Sequence, residues 1–394
     1  MGDAAVDGRR ARRAQAAVIA TFFVHGLLFA SWTAHVPHVK AHLGVDDGTL
    51  GLALLGVPIG AVSAMACSAV LIPRFGSRVL VRVCLVGYCF AGPLVGVAGS
   101  VWGLFAALFL WGAFQGALDV SMNTQAITVE KRRGRPLMNG MHACWSMGAF
   151  AGAGIGTLSV AAGIGLAPQL LVLGTAAVLA AGWLSTSLLL DLVEPPDSGS
   201  GEPAAGRRFS SAMLPLGAVA FASMLCEGAA ADWSSIYLRD SAHGSAAEGG
   251  LGYTAFTLAM VAVRMLGNRL LDRFGAVRLL PALALVATVG FGTALAIGSV
   301  GAGIAGFFLL GLGVGSVVPT AFSAAGRLPG VHPGVGVAMV SGLGWAGFVC
   351  GPPIIGQLAD VTSLRTALVL IPVLTTCIAA ATTRSRTGRS AQRA

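Results

Sequence analysis

Two carboxylates, Glu227 and Asp232, lie inside the stretch 223–240, which is otherwise apolar and long enough to cross a bilayer. An ionisable side chain at membrane depth costs at least ~2.5–3.5 kcal/mol on insertion scales, so such a residue is a candidate functional site. Burial favours the neutral form of a carboxylate, which suits proton pickup and release; a static ion pair that fixes helix packing is the structural alternative. Five positions place the two acids ~140° apart on an ideal helix, so they face different sides unless the segment 228–231 is distorted. Glu227, at the predicted midplane, is the stronger candidate for proton coupling.

A second group of polar residues follows one face of an earlier apolar segment. Gln115, Asp119 and Asn123 are spaced i, i+4 and i+8, which predicts one continuous polar stripe on a helix. Such a stripe is too costly to face lipid, so it must point into a helix bundle. Gln115 and Asp119 are predicted cavity residues, whereas Asn123 suits a cavity or a clamp between helices equally well.

Aromatic and imidazole side chains add further candidates. His25, in the first apolar segment, has the chemistry of a proton relay near neutral pH, but a hydrogen-bonded packing histidine is an equal alternative. His142 and Trp145 offer ring stacking on a polar solute or ordinary packing. Trp32 and Trp233 occupy matching places near the predicted outer surface, where they are expected either to anchor at the interface or to pack.

These residues belong to a strongly apolar chain. Of 394 residues, 55% are hydrophobic and only 10% are charged, against about 25% charged in a soluble domain. Apolar runs of helix-spanning length predict an all-α membrane protein with twelve transmembrane helices. The predicted spans are 14–36, 50–72, 78–98, 101–129, 137–163, 168–190, 212–239, 250–272, 277–298, 301–325, 334–359 and 364–383.

The basic residues give the orientation. If the N-terminus is cytoplasmic, all of the 25 Lys and Arg residues except Lys40, Arg239 and Arg365 lie on the cytoplasmic side of the predicted spans. This bias is what the positive-inside rule describes, so both termini are predicted to be cytoplasmic. The net charge of +9 therefore reflects membrane topology and not a nucleic-acid partner.

The two halves of the chain repeat each other. The loop at 73–76 recurs at 272–275, and the glycine-bracketed stretch 112–116 recurs at 311–315. This predicts two pseudo-symmetric six-helix bundles, 1–190 and 212–394. They are joined by a polar segment rich in Pro, Gly and Ser, 191–211, which is predicted to be a cytoplasmic linker.

At the two loops the sequence resembles the major facilitator superfamily, whose D-R-x-G-R loop motif is similar to these residues: Arg74, Gly76 and Arg78, and Asp272, Arg273 and Gly275. The stretches 229–238 and 119–136 look like a group of largely uncharacterised bacterial members. That group is distantly similar to fucose-type sugar:proton symporters. In the first loop Pro73 stands where the family has an acid, which puts in doubt the cytoplasmic latch that the acid helps to form.

The resemblance implies a secondary active transporter that rocks two halves around a central site, and therefore a protein that is not an enzyme. We expect it to move a small polar or cationic solute across the bacterial cytoplasmic membrane, coupled to protons, as a monomer in the lipid bilayer. Export is slightly favoured because that role is widespread in the superfamily. Proton-coupled uptake of a sugar-like nutrient and a non-transporting sensor of the same fold are the alternatives.

The sequence indicates no further cofactor chemistry. The seven cysteines show no CxxC or CxxH spacing, so no metal site and no cofactor are expected. Catalytic residues are not expected either, since no nucleophile–base pair can be picked out. The chain also lacks the glycine-rich loop of nucleotide-driven pumps.

Overall fold

A computed structural model describes the chain over residues 2–134, 137–191, 213–328 and 333–391. Every regular element in these ranges is a helix. Apart from Asp191, the predicted linker 191–211 lies outside the described residues, so its structure and its cytoplasmic location stay predictions.

The chain divides into two compact units, Met1–Val193 and Glu194–Ala394. The helices of the first unit are, in chain order, α1 (Gly2–Ser31), α2 (Val36–Leu43), α3 (Asp47–Leu54), α4 (Gly56–Phe75), α5 (Ser77–Val95), α6 (Val101–Arg133), α7 (Met138–Ala161), α8 (Leu166–Ala177) and α9 (Trp183–Ser185). A 3-10 turn at Thr33–His35 connects α1 to α2, and a π-helical turn at Val178–Gly182 connects α8 to α9.

The second unit follows the same plan. Its helices are α10 (Met213–Ile236), α11 (Ala246–Phe274), α12 (Ala276–Ile297), α13 (Val300–Val314), α14 (Val317–Ala325), α15 (Pro333–Val361), α16 (Leu364–Ala367) and α17 (Leu370–Ala391). A π-helical turn at Tyr237–Ser241 extends α10.

Twelve helical segments within the described residues are long and apolar enough to cross a membrane, and each overlaps one of the twelve predicted spans. The prediction of an all-α protein with twelve membrane-spanning helices is therefore confirmed. The side of the membrane on which the termini lie is not given by helix length or composition, and it stays a prediction.

Four of the spans contain a break between two helices that lies just before a proline. Pro37, Pro58, Pro319 and Pro372 lie within the first three residues of α2, α4, α14 and α17. Proline has no backbone N–H and its ring clashes with the carbonyl four residues earlier, so it is tolerated in the first turn of a helix but ends the turn before it. The spans are therefore built from shorter helices than the continuous apolar runs suggest.

Helix pairing is the same in both units. In the first unit α1 packs on α7, α4 on α6, and α5 on both α6 and α8. In the second unit α10 packs on α15, α11 on α13, and α12 on both α13 and α17. In each half, the packed spans are the first and fifth, the second and fourth, the third and fourth, and the third and sixth. The repeated packing is the three-dimensional counterpart of the internal repeat in the sequence.

Glycines let the paired helices approach closely. A methyl group added to Gly148, Gly152 or Gly156 of α7 would collide with the backbone carbonyl oxygens of α1. Gly112 and Gly116 of α6 meet the backbone of α4 in the same way. Only residues without a Cβ permit this separation, which is the packing mode typical of membrane helices.

Candidate functional site

The candidate acid Glu227 has a cationic partner within the second unit. Its Oε2 lies 3.8 Å from Nη2 of Arg264, which reaches it from α11. Both side chains are largely buried, with 15% and 20% of their surface exposed. Arg264 also donates from Nε to the carbonyl oxygen of Gly315, 3.2 Å away at the break between α13 and α14. The pair therefore ties α10 to α11 at the level of a helix break.

The other carboxylate oxygen of Glu227, Oε1, does not take part in the contact with Arg264. Oε1 of Glu227 is buried and has no hydrogen-bond partner among the described residues. A buried carboxylate oxygen without a donor is costly for the ionised form, and either a proton or an incoming donor would relieve that cost. Oε1 of Glu227 is therefore an acceptor atom that a proton or a hydrogen-bond donor could engage.

Asp232 lies further along α10 and has no cationic partner among the described residues. The helix is regular from Met213 to Ile236, so the acids are not brought to one face by a distortion at 228–231. Tyr253 of α11 is nevertheless within electrostatic range of both carboxylates. The second unit thus brings two acids, one arginine and one phenol into one neighbourhood.

In the first unit, His25 is held at both ring nitrogens. The indole Nε1 of Trp145 donates to Nδ1 of His25 over 2.7 Å. Because an indole N–H can only donate, Nδ1 must be the unprotonated nitrogen. The proton is then on Nε2, which lies 3.3 Å from the carbonyl oxygen of Gln115. This geometry matches the packing alternative for His25 and makes a neutral imidazole the preferred state.

Two aromatic residues that sequence reasoning missed complete this cluster. Tyr88 of α5 donates its hydroxyl to the backbone carbonyl of His25 over 3.2 Å, and its ring stacks on that imidazole. Trp111 of α6 stacks on Tyr88 and donates its indole N–H to the Tyr88 carbonyl over 3.0 Å. Tyr88 is the first tyrosine of only three in the chain, and a phenol within an apolar span was the signal available.

In the predicted stripe on α6, Asn123 and Asp119 bond each other, whereas the side-chain oxygen of Gln115 has no partner among the described residues. Asn123 donates from its amide to the backbone and carboxylate oxygens of Asp119, at 2.8 and 3.3 Å, within the helix. The side-chain Oε1 of Gln115 is buried without a hydrogen-bond partner among the described residues. Gln115 and Asp119 thus keep acceptor atoms for an incoming donor.

The remaining aromatic candidates differ in burial. His142 is exposed and its ring meets Phe22 edge-on at 5.1 Å. Trp32 and Trp233 are fully buried, so the alternative that they anchor at the membrane interface is wrong. Packing between helices buries Trp32, whose ring lies edge-on to the buried Trp111 ring.

The two loop motifs have matching geometry. Gly76 and Gly275 have positive φ angles of 81° and 69°, which place the turns between α4 and α5 and between α11 and α12 in a region that glycine favours. The guanidinium group of Arg74 lies 5.3 Å from the ring centroid of Phe75, the last residue of α4. The guanidinium group of Arg273 lies 5.4 Å from the ring centroid of Phe274, the last residue of α11. The missing acid of the first motif therefore does not alter the turn.

An acid from elsewhere occupies the first loop. Asp191 accepts hydrogen bonds from the Ser77 backbone N–H at 2.6 Å and from the Ser77 hydroxyl. Gln125 donates to the same carboxylate over 3.3 Å and also bonds both backbone groups of Leu189. The carboxylate caps the N-terminus of α5, where a negative charge is favourable. Through these bonds, Gln125 of α6 holds together the start of α5 and the segment that follows α9.

The described sites contain acids, an arginine, a histidine and amides, which are groups that can bind protons or polar solutes. Within the part of the chain that the structure describes, no group of three or more His, Cys, Asp or Glu side chains is arranged to hold a metal ion. The first unit brings His25, Trp145 and Gln115 together, and the second unit centres on Glu227 and Arg264.

Comparison with known proteins agrees with this architecture. The family model described as Major Facilitator Superfamily matches residues 17–237 and again residues 216–393. An uncharacterized MFS-type transporter of Yersinia pestis is 34% identical over 91% of this chain and 92% of its own length. Membrane protein MosC of Rhizobium meliloti is 35% identical over 95% of this chain and 91% of its own length.

Solved structures share the fold at low identity. The nucleoside transporter NupG superposes with a TM-score of 0.73 at 10% identity, over 94% of this chain and 98% of NupG. The E. coli fucose:proton symporter FucP, as its N162A variant, superposes with a TM-score of 0.60 at 17% identity, over 93% and 97% of the two chains. Twelve spans, a repeated packing plan, two loop motifs and matches to the family over both halves lead to one conclusion: the chain belongs to the major facilitator superfamily of membrane transporters.

Proposed function

We propose that this transporter moves a small polar or cationic solute by alternating access, driven by protons, in the export direction. The observation that carries the proposal is the buried contact between Glu227 and Arg264, in which one carboxylate oxygen has no described partner. Membership of a transporter family supplies the general activity, and the acids supply a reason for proton coupling.

The ion pair couples protonation to structure. A buried charge that loses its partner is strongly destabilised, typically by about 3–5 kcal/mol when fully buried. Protonation of Glu227 removes the charge that holds Arg264, so α10 and α11 lose their polar tie at the same time. Because Glu227 and Arg264 remain partly exposed, the cost is lower here and the pair can open and close during transport.

The charges near this pair indicate the class of solute. Two carboxylates, Glu227 and Asp232, accompany one guanidinium, so the neighbourhood is negative when both acids are ionised. A cationic or hydrogen-bond-donating solute would satisfy the unpartnered Oε1 of Glu227 and compete with its proton. Competition between solute and proton for one carboxylate is the simplest basis for exchange, which is why export in exchange for protons is proposed.

The test begins with the ligand. A thermal-shift screen of the purified protein across sugars, amines and drugs identifies a solute, since binding stabilises the folded state by mass action. The protein is then reconstituted in vesicles, and solute flux is measured with and without an imposed pH gradient. We expect gradient-driven flux in the wild type and in Asp360→Asn, an exposed acid, and no gradient dependence in Glu227→Gln.

The outcomes separate the alternatives. Solute movement against the proton gradient identifies export by exchange, and movement with it identifies proton-coupled uptake. Binding without any flux identifies a sensor. Wild-type pH dependence in Glu227→Gln would remove that residue from the mechanism.

A further inference from the structure

The first unit contains a cavity that lies beside the first loop motif and shares Arg78 with it. It has a volume of about 520 Å³ and is lined by four arginines and the turn after α9: Arg9, Arg10, Arg13, Arg78, Thr186 and Ser187. Three of the arginines come from the start of α1 and the fourth from the first turn of α5. A cavity with four guanidinium groups around it has the chemistry of an anion site.

Among the described residues, no carboxylate neutralises the positive charge of this cavity. None of the four arginines forms an ion pair with a carboxylate of the described residues, and Nε of Arg78 is buried without a hydrogen-bond partner there. The neighbouring carboxylate of Asp191 is engaged by Ser77 and Gln125 instead. Like charges that share a cavity repel one another, so an anion bound between them would be stabilising.

The wall of the cavity is a fixed structure. Arg82 donates from Nε and Nη2 to the carbonyl oxygen of Ser185, at 3.3 and 3.0 Å. Gln125 holds Leu189 by hydrogen bonds to both its N–H and its carbonyl oxygen. The turn that carries Thr186 and Ser187 is thus held by hydrogen bonds on both sides.

We propose that this arginine cavity binds a phosphate group, carried either by an anionic phospholipid headgroup or by a soluble phosphate compound. Arginine forks match phosphate oxygens in paired hydrogen bonds, and the Ser187 hydroxyl adds a further donor. Trp183 and Leu190, three residues before and after the lining turn at 186–187, are 74% and 69% exposed, which suits contact with a lipid. An exposed tryptophan beside basic side chains is typical of the membrane interface.

The experiment titrates the purified full-length protein with short-chain phosphatidylglycerol and with short-chain phosphatidylcholine, and reads the melting temperature. A separate arm uses inorganic phosphate alone. We expect phosphatidylglycerol to bind roughly tenfold or more tightly than phosphatidylcholine, as clustered basic residues near a membrane attract anionic lipids. The triple variant Arg9→Gln/Arg10→Gln/Arg13→Gln should weaken that binding by about tenfold or more. The single variant Arg78→Gln, which keeps the three arginines of α1, should weaken it to a similar extent.

Arg12→Gln is the matched control, because Arg12 is exposed on the same helix and does not line the cavity. It should bind phosphatidylglycerol like the wild type. If phosphate alone binds and displaces phosphatidylglycerol, the ligand is a soluble phosphate; if only the lipid binds, it is a headgroup. Equal weakening by Arg12→Gln and the triple variant, or no binding in either arm, would overturn the proposal.

Discussion

Glu227 and Arg264 form a buried ion pair across the α10–α11 contact, with 3.8 Å between Oε2 and Nη2. The two residues lie on consecutive spans of the second unit, and Arg264 is further tied to the carbonyl of Gly315. One arginine therefore links an acid on α10 to the break that precedes α14.

The first prediction concerns this pair. Glu227→Gln should lower the free energy of unfolding by about 2 kcal/mol, because it replaces the ion pair with Arg264 by a weaker neutral contact. Arg264→Gln should cost a similar amount. The double variant should recover part of the loss, and a double-mutant cycle on melting data measures the coupling. Strictly additive losses would show that the two side chains do not interact.

The second prediction concerns the His25–Trp145 bond. His25→Asn should keep wild-type pH dependence of transport, because the side-chain oxygen of Asn can accept the indole N–H and a neutral His25 carries no transported proton. His25→Leu should cost about 1–3 kcal/mol of stability, since the indole donor of Trp145 loses its acceptor. Flux across a pH series and melting temperatures check both statements. Loss of pH dependence in stable His25→Asn would favour the proton-relay alternative.

The third prediction concerns the close contact of α1 and α7. Gly152→Ala should destabilise the protein by about 1–3 kcal/mol, because the new methyl group meets the backbone of Leu27. Gly154→Ala, on the same helix, faces open space within 4 Å and should be neutral or slightly stabilising. Melting temperatures of the two purified variants make the comparison. Equal effects would contradict the packing role of Gly152.

The fourth prediction concerns the cap of α5. Asp191→Ala should cost about 1–2 kcal/mol, because the Ser77 N–H at the helix start loses its acceptor. Asp360→Ala removes an exposed acid of the other unit and should change stability little. Thermal unfolding in one detergent gives both values. If Asp191→Ala melts like the wild type, the carboxylate does not stabilise the loop.

The fifth prediction concerns membrane orientation. In a chain without its native cysteines, Ser198→Cys in the predicted linker should react with a membrane-impermeant thiol reagent only from the cytoplasmic side. Thr362→Cys, in the predicted outer loop between the last two spans, should react only from outside. Labelling in intact cells and in inverted vesicles checks the pair. The reverse pattern would overturn the predicted topology.

The sequence was sufficient to determine the twelve spans and the internal repeat. Span length follows from the run of apolar residues that a bilayer requires, and this property is local to each segment. The glycine runs were informative for the same reason, because close helix contact in a membrane demands small side chains whatever the partner helix. The candidate acids Glu227 and Asp232 were also visible, since an ionisable group in an apolar run is conspicuous.

Only the tertiary structure decided the partners of those residues. Trp145 binds His25 from 120 positions away. Asp191 accepts hydrogen bonds from Ser77 at the first loop, although sequence reasoning assigned this acid to a linker. The buried state of Trp32 and Trp233 was likewise set by neighbouring helices. A side chain's period along its own helix predicts the face it occupies. Which atom it meets there depends on how separate helices pack, and that is a property of the whole bundle.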